Sequence, residues 1–91
     1  MLRHDKHYVY ILKCADGHFY TGYTRNVEKR VELHNKGWGA KYLKTKLPVK
    51  LVFAKEYLYY KNALKAERSI KKLTREQKLE LIKIYDSSFK L

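Results

Sequence analysis

Apolar and β-branched residues at the start of the chain predict a β-hairpin. Residues His7 to Lys13 are nearly all Tyr, Val, Ile and Leu, which indicates a strand covered on both faces. Ala15-Asp16-Gly17 is a turn signal, and His18 to Tyr23 has the composition of the returning strand. The first structural unit is therefore expected to be two antiparallel strands joined by a tight turn.

The length of the hairpin loop decides whether Tyr10 and Tyr20 share a face. Side chains alternate between faces along a strand, so a loop with an odd number of residues places both rings on one side. A three-residue loop with Gly17 in the left-handed region pairs Tyr10 with Gly22 and Leu12 with Tyr20, whereas a two-residue Asp-Gly turn separates the tyrosines. We expect the three-residue loop, because Gly22 has no side chain and leaves open space beside Tyr10.

The helix predicted after the hairpin carries two polar residues on its inward face. Asn26 suits its N-cap, and the helix should run to about Lys36 before Gly37 ends it. Arg30 and His34 fall on the apolar stripe of this helix. Either both residues are functional, or Arg30 extends to water at the edge of the stripe and His34 is a hydrogen-bonded boundary residue.

The second half of the chain predicts one strand and two helices. Lys50 to Tyr57 has the apolar centre of a strand beside the hairpin, and residues 60–73 have the apolar spacing of a helix. Thr74 and Gln77 form a T-x-x-Q capping box that opens a last helix, which runs to about Tyr85. The expected order of elements is therefore β-β-α-β-α-α.

One carboxylate lies on the core side of the helix predicted over residues 60–73. Glu67 lies between Ala63 and Ile70, at the spacing of one helical face. A half-buried carboxylate is costly unless it is paired or binds a cation. The alternatives are a salt bridge to a base such as Arg68 or Lys71, and a metal site.

Charge narrows the class of partner. The chain has 21 Lys and Arg against 9 Asp and Glu, a net charge of +12. Such a balance attracts polyanions, so nucleic acid is the favoured partner and an anionic membrane surface is the rival. Nine tyrosines favour nucleic acid further, because aromatic faces stack on bases.

Length and cysteine content limit the organisation of the protein. We expect a single domain over residues 1–91 with its core in residues 7–85, a loose leader over residues 1–6 and a fraying tail, DSSFKL. The single cysteine, Cys14, excludes an internal disulfide and a multi-cysteine zinc site. The chain begins without a signal-peptide pattern and has no apolar run of about 18 residues. We therefore expect a cytoplasmic protein without a membrane span.

The segment GWGAKYLKTKLP, which ends at Pro48, interleaves aromatic and basic residues. Trp38 and Tyr42 among lysines are typical of contact with bases and phosphates. The alternative is a loop whose rings pack inward while its lysines stay solvated. We assign nucleic-acid contacts to six residues: Tyr23, Arg25, Lys41, Tyr42, Lys44 and Lys46.

Phosphodiester hydrolysis is the chemistry that the candidate residues permit. The chain lacks a G-x-x-x-x-G-K-[ST] phosphate loop, a G-x-G-x-x-G motif and an H-E-x-x-H zinc helix. A divalent ion on Glu67 can bind a phosphate oxygen, and Arg30 can hold a nonbridging oxygen. Tyrosine, with an unperturbed pKa of about 10, is a poor base near neutral pH unless a cation or hydrogen bond lowers that value.

Together these residues resemble the GIY-YIG nuclease superfamily, and most of all its small stand-alone branch. Tyr8-Val9-Tyr10 corresponds to the first motif, with tyrosine where glycine usually stands, and Tyr20-Thr21-Gly22 corresponds to the second. Arg30 follows at the family's spacing on the first helix, with His34 one turn later. Glu67, in ALKAERSIKKL, matches the family's metal-binding glutamate.

The resemblance implies an α/β (α+β) domain with a three-stranded antiparallel sheet flanked by helices, and metal-dependent cleavage of DNA. It implies a role for each of five residues: Tyr10 as general base, Tyr20 polarising the attacking water or ordering metal-bound water, Arg30 steadying the scissile phosphate, His34 assisting, and Glu67 holding Mg²⁺ or Mn²⁺. We expect a structure-selective endonuclease linked to DNA repair or recombination, with a protein partner for targeting. The alternative is a nucleic-acid-binding module with weak or no nuclease activity.

Overall fold

The computed structural model describes residues 6–88 and places a three-stranded antiparallel sheet between two groups of helices. This arrangement confirms the expected α+β class and the order β-β-α-β-α-α. In chain order the elements are β1 (His7–Lys13), β2 (Phe19–Thr24), α1 (Val27–Asn35), a 3-10 turn (Lys41–Leu43), β3 (Lys50–Tyr57), α2 (Tyr60–Lys71) and α3 (Arg75–Ser87).

The structure describes the two ends of the chain only in part. Residues 1–5 of the expected leader and residues 89–91 of the expected fraying tail lie outside the described residues. Asp86 and Ser87, which the sequence placed in that tail, are the last two residues of α3. No helix within residues 6–88 is both long enough and apolar enough to cross a bilayer.

The hairpin between β1 and β2 has the three-residue loop that the sequence predicts. Gly17 has a φ of 90°, and its N–H donates to the Cys14 carbonyl at 2.9 Å. Glycine enters this left-handed region without steric cost. The resulting register pairs Tyr10 with Gly22 and Leu12 with Tyr20. Because the pairing is fixed in this way, the rings of both site tyrosines lie on one face of the sheet.

β1 is the central strand, with β2 on one side and β3 on the other. Val9, Tyr10, Ile11 and Leu12 are each at most 1% exposed. This burial confirms the prediction of a strand covered on both faces. A register shift between Ile11 and Leu12 marks an irregularity in the pairing of β1 with β3.

The sheet separates two apolar clusters. α2 and α3 cover one face, whose buried core is formed by Val9, Ile11, Phe53, Ala63 and Ile70. α1 and the 3-10 turn cover the other face, whose buried core is formed by Tyr10, Leu12, Cys14, Leu43 and Val49. Alternate residues of β1 therefore contact different helices, and Tyr10 is turned toward α1.

Side-chain caps fix where two helices begin. The Asn26 Oδ1 atom accepts from the Lys29 N–H at 3.1 Å, as the sequence predicts for α1. In α3, the Gln77 N–H donates to Thr74 Oγ1 at 3.2 Å, and the Thr74 N–H donates to Gln77 Oε1 at 2.9 Å. This reciprocal pair is the predicted capping box. Gly37 follows α1 with a φ of 81°, a conformation that ends a helix.

Candidate active site

The hydroxyl of Tyr10 lies at the centre of the site. Tyr10 is 1% exposed, and its Oη atom lies 2.9 Å from His34 Nε2. The Arg30 side chain is also hydrogen-bonded to this hydroxyl. Arg30 and His34 are four residues apart on α1, so they lie on one helical face and reach the same atom. The polar residues that interrupt the inward stripe of α1 therefore converge on the first-motif tyrosine.

The backbone of Ala40 fixes the tautomer of His34. The Ala40 N–H donates to His34 Nδ1 at 3.1 Å, so Nδ1 is an acceptor and the ring proton lies on Nε2. Burial, reinforced by the charge of Arg30, lowers the pKa of His34 and keeps the ring neutral. The Nε2–H group therefore donates to the Tyr10 hydroxyl.

Burial raises the pKa of Tyr10 to about 12, although the hydrogen bond from Arg30 acts in the opposite direction. The charges of Tyr20 and Glu67 raise this pKa further. Because His34 and Arg30 both donate to Tyr10 Oη, the neutral phenol has no lone pair left for a proton from water. At neutral pH Tyr10 therefore keeps its proton, and it could serve as a base only if a further positive charge lowered its pKa.

Gly22 gives the Tyr10 ring its place on the sheet. A Cβ atom at position 22 would lie 2.5 Å from Tyr10 Oη and 2.6 Å from Tyr10 Cζ. The expectation of open space beside Tyr10 is therefore corrected, since the Tyr10 ring itself fills the space above Gly22.

Tyr20 connects the buried hydroxyl to the protein surface. Its ring centroid lies 6.4 Å from that of Tyr10 and 5.7 Å from that of His34, edge-on to the imidazole. On its outer side, Tyr20 stacks with Tyr42 at 6.1 Å and an interplanar angle of 21°. Tyr42 is 52% exposed. A row of three tyrosine rings therefore runs from the site to solvent.

Glu67 forms the salt bridge that was one of its two alternatives, and the metal site stays a prediction. Its side chain is 17% exposed, and Oε2 lies 3.3 Å from Lys71 Nζ, one turn further along α2. The charge of the same carboxylate also raises the pKa of Tyr10. Lys71 is 57% exposed, and an ion pair with such an exposed partner is weak.

The residues around Glu67 fit a divalent ion that takes most of its ligands from water and substrate. Across residues 6–88, no three side chains of the types His, Cys, Asp and Glu lie close enough to form a metal cage. Mg²⁺ is commonly held by one or two carboxylates together with waters and substrate phosphates, and Mn²⁺ accepts the same oxygen ligands. A single half-buried carboxylate is therefore sufficient for this kind of site.

Tyr23 lies on the other face of the sheet. Its hydroxyl is 2.7 Å from His7 Nδ1, and its ring meets Tyr60 edge-on at 5.3 Å. Because side chains alternate along β2, Tyr23 and Tyr20 are directed to opposite faces. The assignment of Tyr23 to nucleic-acid contact stays a prediction, and it places that contact on the face of the sheet opposite Tyr10.

The lysines of the loop before β3 differ in their surroundings. Lys46 Nζ lies 2.8 Å from Asp16 Oδ2 and 5.0 Å from the centroid of Tyr42. The hydrogen bond from Lys46 holds the pKa of the Asp16 carboxyl well below its usual range. Lys41 and Lys44 are exposed. Lys46 thus ties the loop to the hairpin turn, whereas Lys41 and Lys44 face solvent.

A basic depression leads to Arg30 along the start of α1. Arg25, Lys29 and Arg30 line it together with Asn26 and Leu33. Sequence reasoning named the two arginines but missed Lys29.

Gly39 was also missed, although it contacts the site directly. A Cβ atom at this position would lie 1.9 Å from His34 Nδ1. Gly37 has a positive φ because it ends α1, but Gly39 does not. A second glycine that no turn requires is a signal of close approach to another group.

We expect Gly39→Ala to displace the His34 ring and to break its hydrogen bond with Ala40. Nitrogen NMR of the imidazole should show the proton fixed on Nε2 in the unmodified protein and a mixture of tautomers in the variant. Gly17→Ala is the matched control, because a Cβ there meets nothing within 4 Å and only the φ of 90° is strained. Unchanged His34 signals in Gly39→Ala would contradict this account.

The neutral state of His34 predicts a loss of stability on acidification. Its pKa is lowered in the folded protein, so the unfolded chain takes up a proton first, near the ordinary value of about 6.5. Stability present above that value is lost as pH falls, by at most about 1.4 kcal/mol per pH unit. Urea unfolding between about pH 7 and pH 5 should show a flatter dependence in His34→Gln than in the unmodified protein. Identical slopes would show that folding does not lower the pKa of His34.

Comparison with known proteins assigns the family. The profile of the GIY-YIG catalytic domain matches residues 6–80. A UPF0213 protein of Staphylococcus aureus is 54% identical over 79 residues, which cover 87% of this chain and 96% of that protein.

Two solution NMR structures share the fold. The UPF0213 protein BH0048 from Bacillus halodurans has a TM-score of 0.59 and 39% identity, over 94% of this chain and 96% of that chain. The protein EF2693 from E. faecalis has a TM-score of 0.62 and 41% identity, over 94% of this chain and 92% of that chain. With its two tyrosines, Arg30 and His34 brought together on one face of the sheet, the chain belongs to the GIY-YIG family, among the small stand-alone UPF0213 proteins.

Proposed function

We propose that the protein is a metal-dependent endonuclease that hydrolyses phosphodiester bonds in DNA. The observation that carries this proposal is the convergence of Arg30 and His34 on the Tyr10 hydroxyl, with the charge of Glu67 acting on the same phenol. A buried phenol, a guanidinium and one carboxylate form a set that can bind a phosphate, offset its charge and move a proton. Membership of a nuclease family supports the same chemistry.

In this proposal Arg30 binds a nonbridging oxygen of the scissile phosphate. Its guanidinium fork matches the geometry of a phosphate, and the depression that it shares with Arg25 and Lys29 provides a positively charged path for the backbone. When substrate binds, Arg30 therefore donates hydrogen bonds to the phosphate as well as to the phenol. The tyrosine row leads from the same place to the surface.

Tyr10 releases its own proton to solvent, and the resulting phenolate accepts the proton of the attacking water. The donors His34 and Arg30 stabilise the resulting phenolate, and the Ala40 N–H keeps the His34 donor directed at it. Tyr20, half-buried beside Tyr10, orders the water. Glu67 would hold Mg²⁺ or Mn²⁺, which supplies positive charge for the phosphate and the leaving oxygen.

The substrate is proposed to be recognised by its shape. A domain of 91 residues has little surface for reading base edges in addition to a catalytic site, and phosphate contacts position a nucleic acid without specifying its sequence. Structure-selective cleavage of this kind belongs to DNA repair or recombination. A free, buried Cys14 fits the cytoplasm, and a protein partner would supply targeting.

A second candidate function is a nucleic-acid-binding module with weak or no nuclease activity. The high pKa of Tyr10 favours this reading, because a phenol that keeps its proton is not a base. The net charge of +12 supports binding in either case.

The nuclease proposal predicts metal-dependent cutting that requires Glu67. Purified protein should cleave flaps, forks or bubbles in Mg²⁺ or Mn²⁺, and Glu67→Gln should reduce the rate by about a hundredfold or more while DNA binding persists. Glu76→Gln is the matched control, since Glu76 is an exposed carboxylate in the first turn of α3. Tight binding without cutting of any substrate would support the binding module instead.

The surroundings of the loop lysines predict unequal contributions to the salt dependence of binding. Lys41→Ala and Lys44→Ala should each lower the slope of log affinity against log salt by about 1, because each exposed ammonium that contacts a phosphate releases counterions. Lys46→Ala should lower it less, since Lys46 is already paired with Asp16. Affinities for one duplex at several salt concentrations provide the measurement, and an equal effect of all three changes would contradict the assignment.

A further inference from the structure

Trp38 is unusually exposed for an indole. It is 73% exposed, more than any other large apolar residue described as exposed. An exposed aromatic side chain is common enough that exposure alone indicates nothing. The position of Trp38 in the fold and the residues near it indicate a binding role.

The backbone of Trp38 is held beside the candidate site. Its N–H donates to the Leu33 carbonyl at 3.0 Å, and the Gly37 N–H donates to the His34 carbonyl at 2.9 Å. The next residue, Gly39, lies against the His34 ring. The exposed indole is therefore carried on a fixed backbone, two residues before Ala40, whose N–H sets the His34 tautomer.

One cation lies over the indole, and further cations and an aromatic ring follow along the loop. Lys36 Nζ lies 5.9 Å from the Trp38 centroid, and Lys41 and Lys44 follow as exposed cations on the same loop. Tyr42 is already stacked with Tyr20 and has Lys46 over its ring. The indole, in contrast, remains largely open to solvent. Aromatic faces among cations are the arrangement by which proteins hold single-stranded nucleic acid.

We propose that Trp38 is a stacking site for an unpaired base next to the cleaved phosphate. The inference rests on the proposed function, because it takes DNA as the ligand. Bases in a continuous duplex are stacked on one another, so their faces are not available to the indole. Bases at flaps, bubbles and single-stranded ends offer a free face, and Lys36 beside the indole holds an adjacent phosphate. Trp38 thereby supplies the preference for DNA structure that a small domain cannot obtain from base-edge contacts.

The single tryptophan of the chain makes the test direct. Intrinsic tryptophan emission is followed while metal-free protein is titrated with a single-stranded oligonucleotide, a flap, or a blunt duplex of equal length. We expect quenching by the single strand and the flap, and little quenching by the duplex. Trp38→Ala should weaken binding of the single strand and the flap by about tenfold or more, with duplex affinity and salt slope unchanged.

Two variants separate stacking from other effects. Trp38→Phe keeps an aromatic face and should retain most of the affinity for the single strand. Tyr59→Ala is the matched control, because Tyr59 is 66% exposed and lies between β3 and α2. It should leave all affinities unchanged.

Three outcomes would overturn the inference: no quenching by any DNA, equal loss of duplex and single-strand affinity in Trp38→Ala, or quenching by anionic lipid vesicles without quenching by DNA. Metal-dependent cleavage that is indifferent to Trp38→Ala, with no quenching, would overturn the stacking site and leave the nuclease proposal standing. Quenching by single strands without cleavage of any substrate would overturn the nuclease proposal and leave the stacking site standing.

Discussion

The structure depends on one polar group in an otherwise apolar strand, the hydroxyl of Tyr10. β1 is covered on both faces, so this hydroxyl is removed from water together with its ring. A buried hydroxyl without a partner costs about 1–3 kcal/mol, a large share of the stability of a small domain. His34 and Arg30 provide the partners. The same hydrogen bonds that make the core stable also assemble the candidate site, so packing and chemistry are not separable here.

Two glycines, which have no side chain, make that arrangement possible. Gly22 leaves the surface of the sheet bare where the Tyr10 ring lies, and Gly39 leaves room for the His34 ring. Neither glycine has a positive φ, so their role is space and not backbone conformation. Position by position, the first motif supplies the phenol, the second supplies the glycine beneath it, and the loop after α1 orients the imidazole.

The amino-acid sequence predicted the parts of this site that are set by local periodicity. Loop length fixed the shared face of Tyr10 and Tyr20, and helical spacing brought Arg30 and His34 to one stripe. Prediction from the sequence failed where contacts are set by tertiary packing. The approach of Gly39 to His34 and the pairing of Lys46 with Asp16 link segments whose relative placement no periodicity describes.

Burial positions Tyr10 and at the same time suppresses its reactivity. Desolvation raises the pKa of the phenol to about 12, and the carboxylate of Glu67 adds to that rise. Glu67 therefore opposes ionisation of Tyr10 as long as its charge is only partly offset by exposed Lys71. Any cation that binds Glu67 more closely removes this opposition, and by reciprocity an ionised Tyr10 strengthens the binding of that cation. In the proposed nuclease, a phenol that keeps its proton in the resting protein and ionises only beside a bound cation would prevent hydrolysis before substrate and cation are both in place.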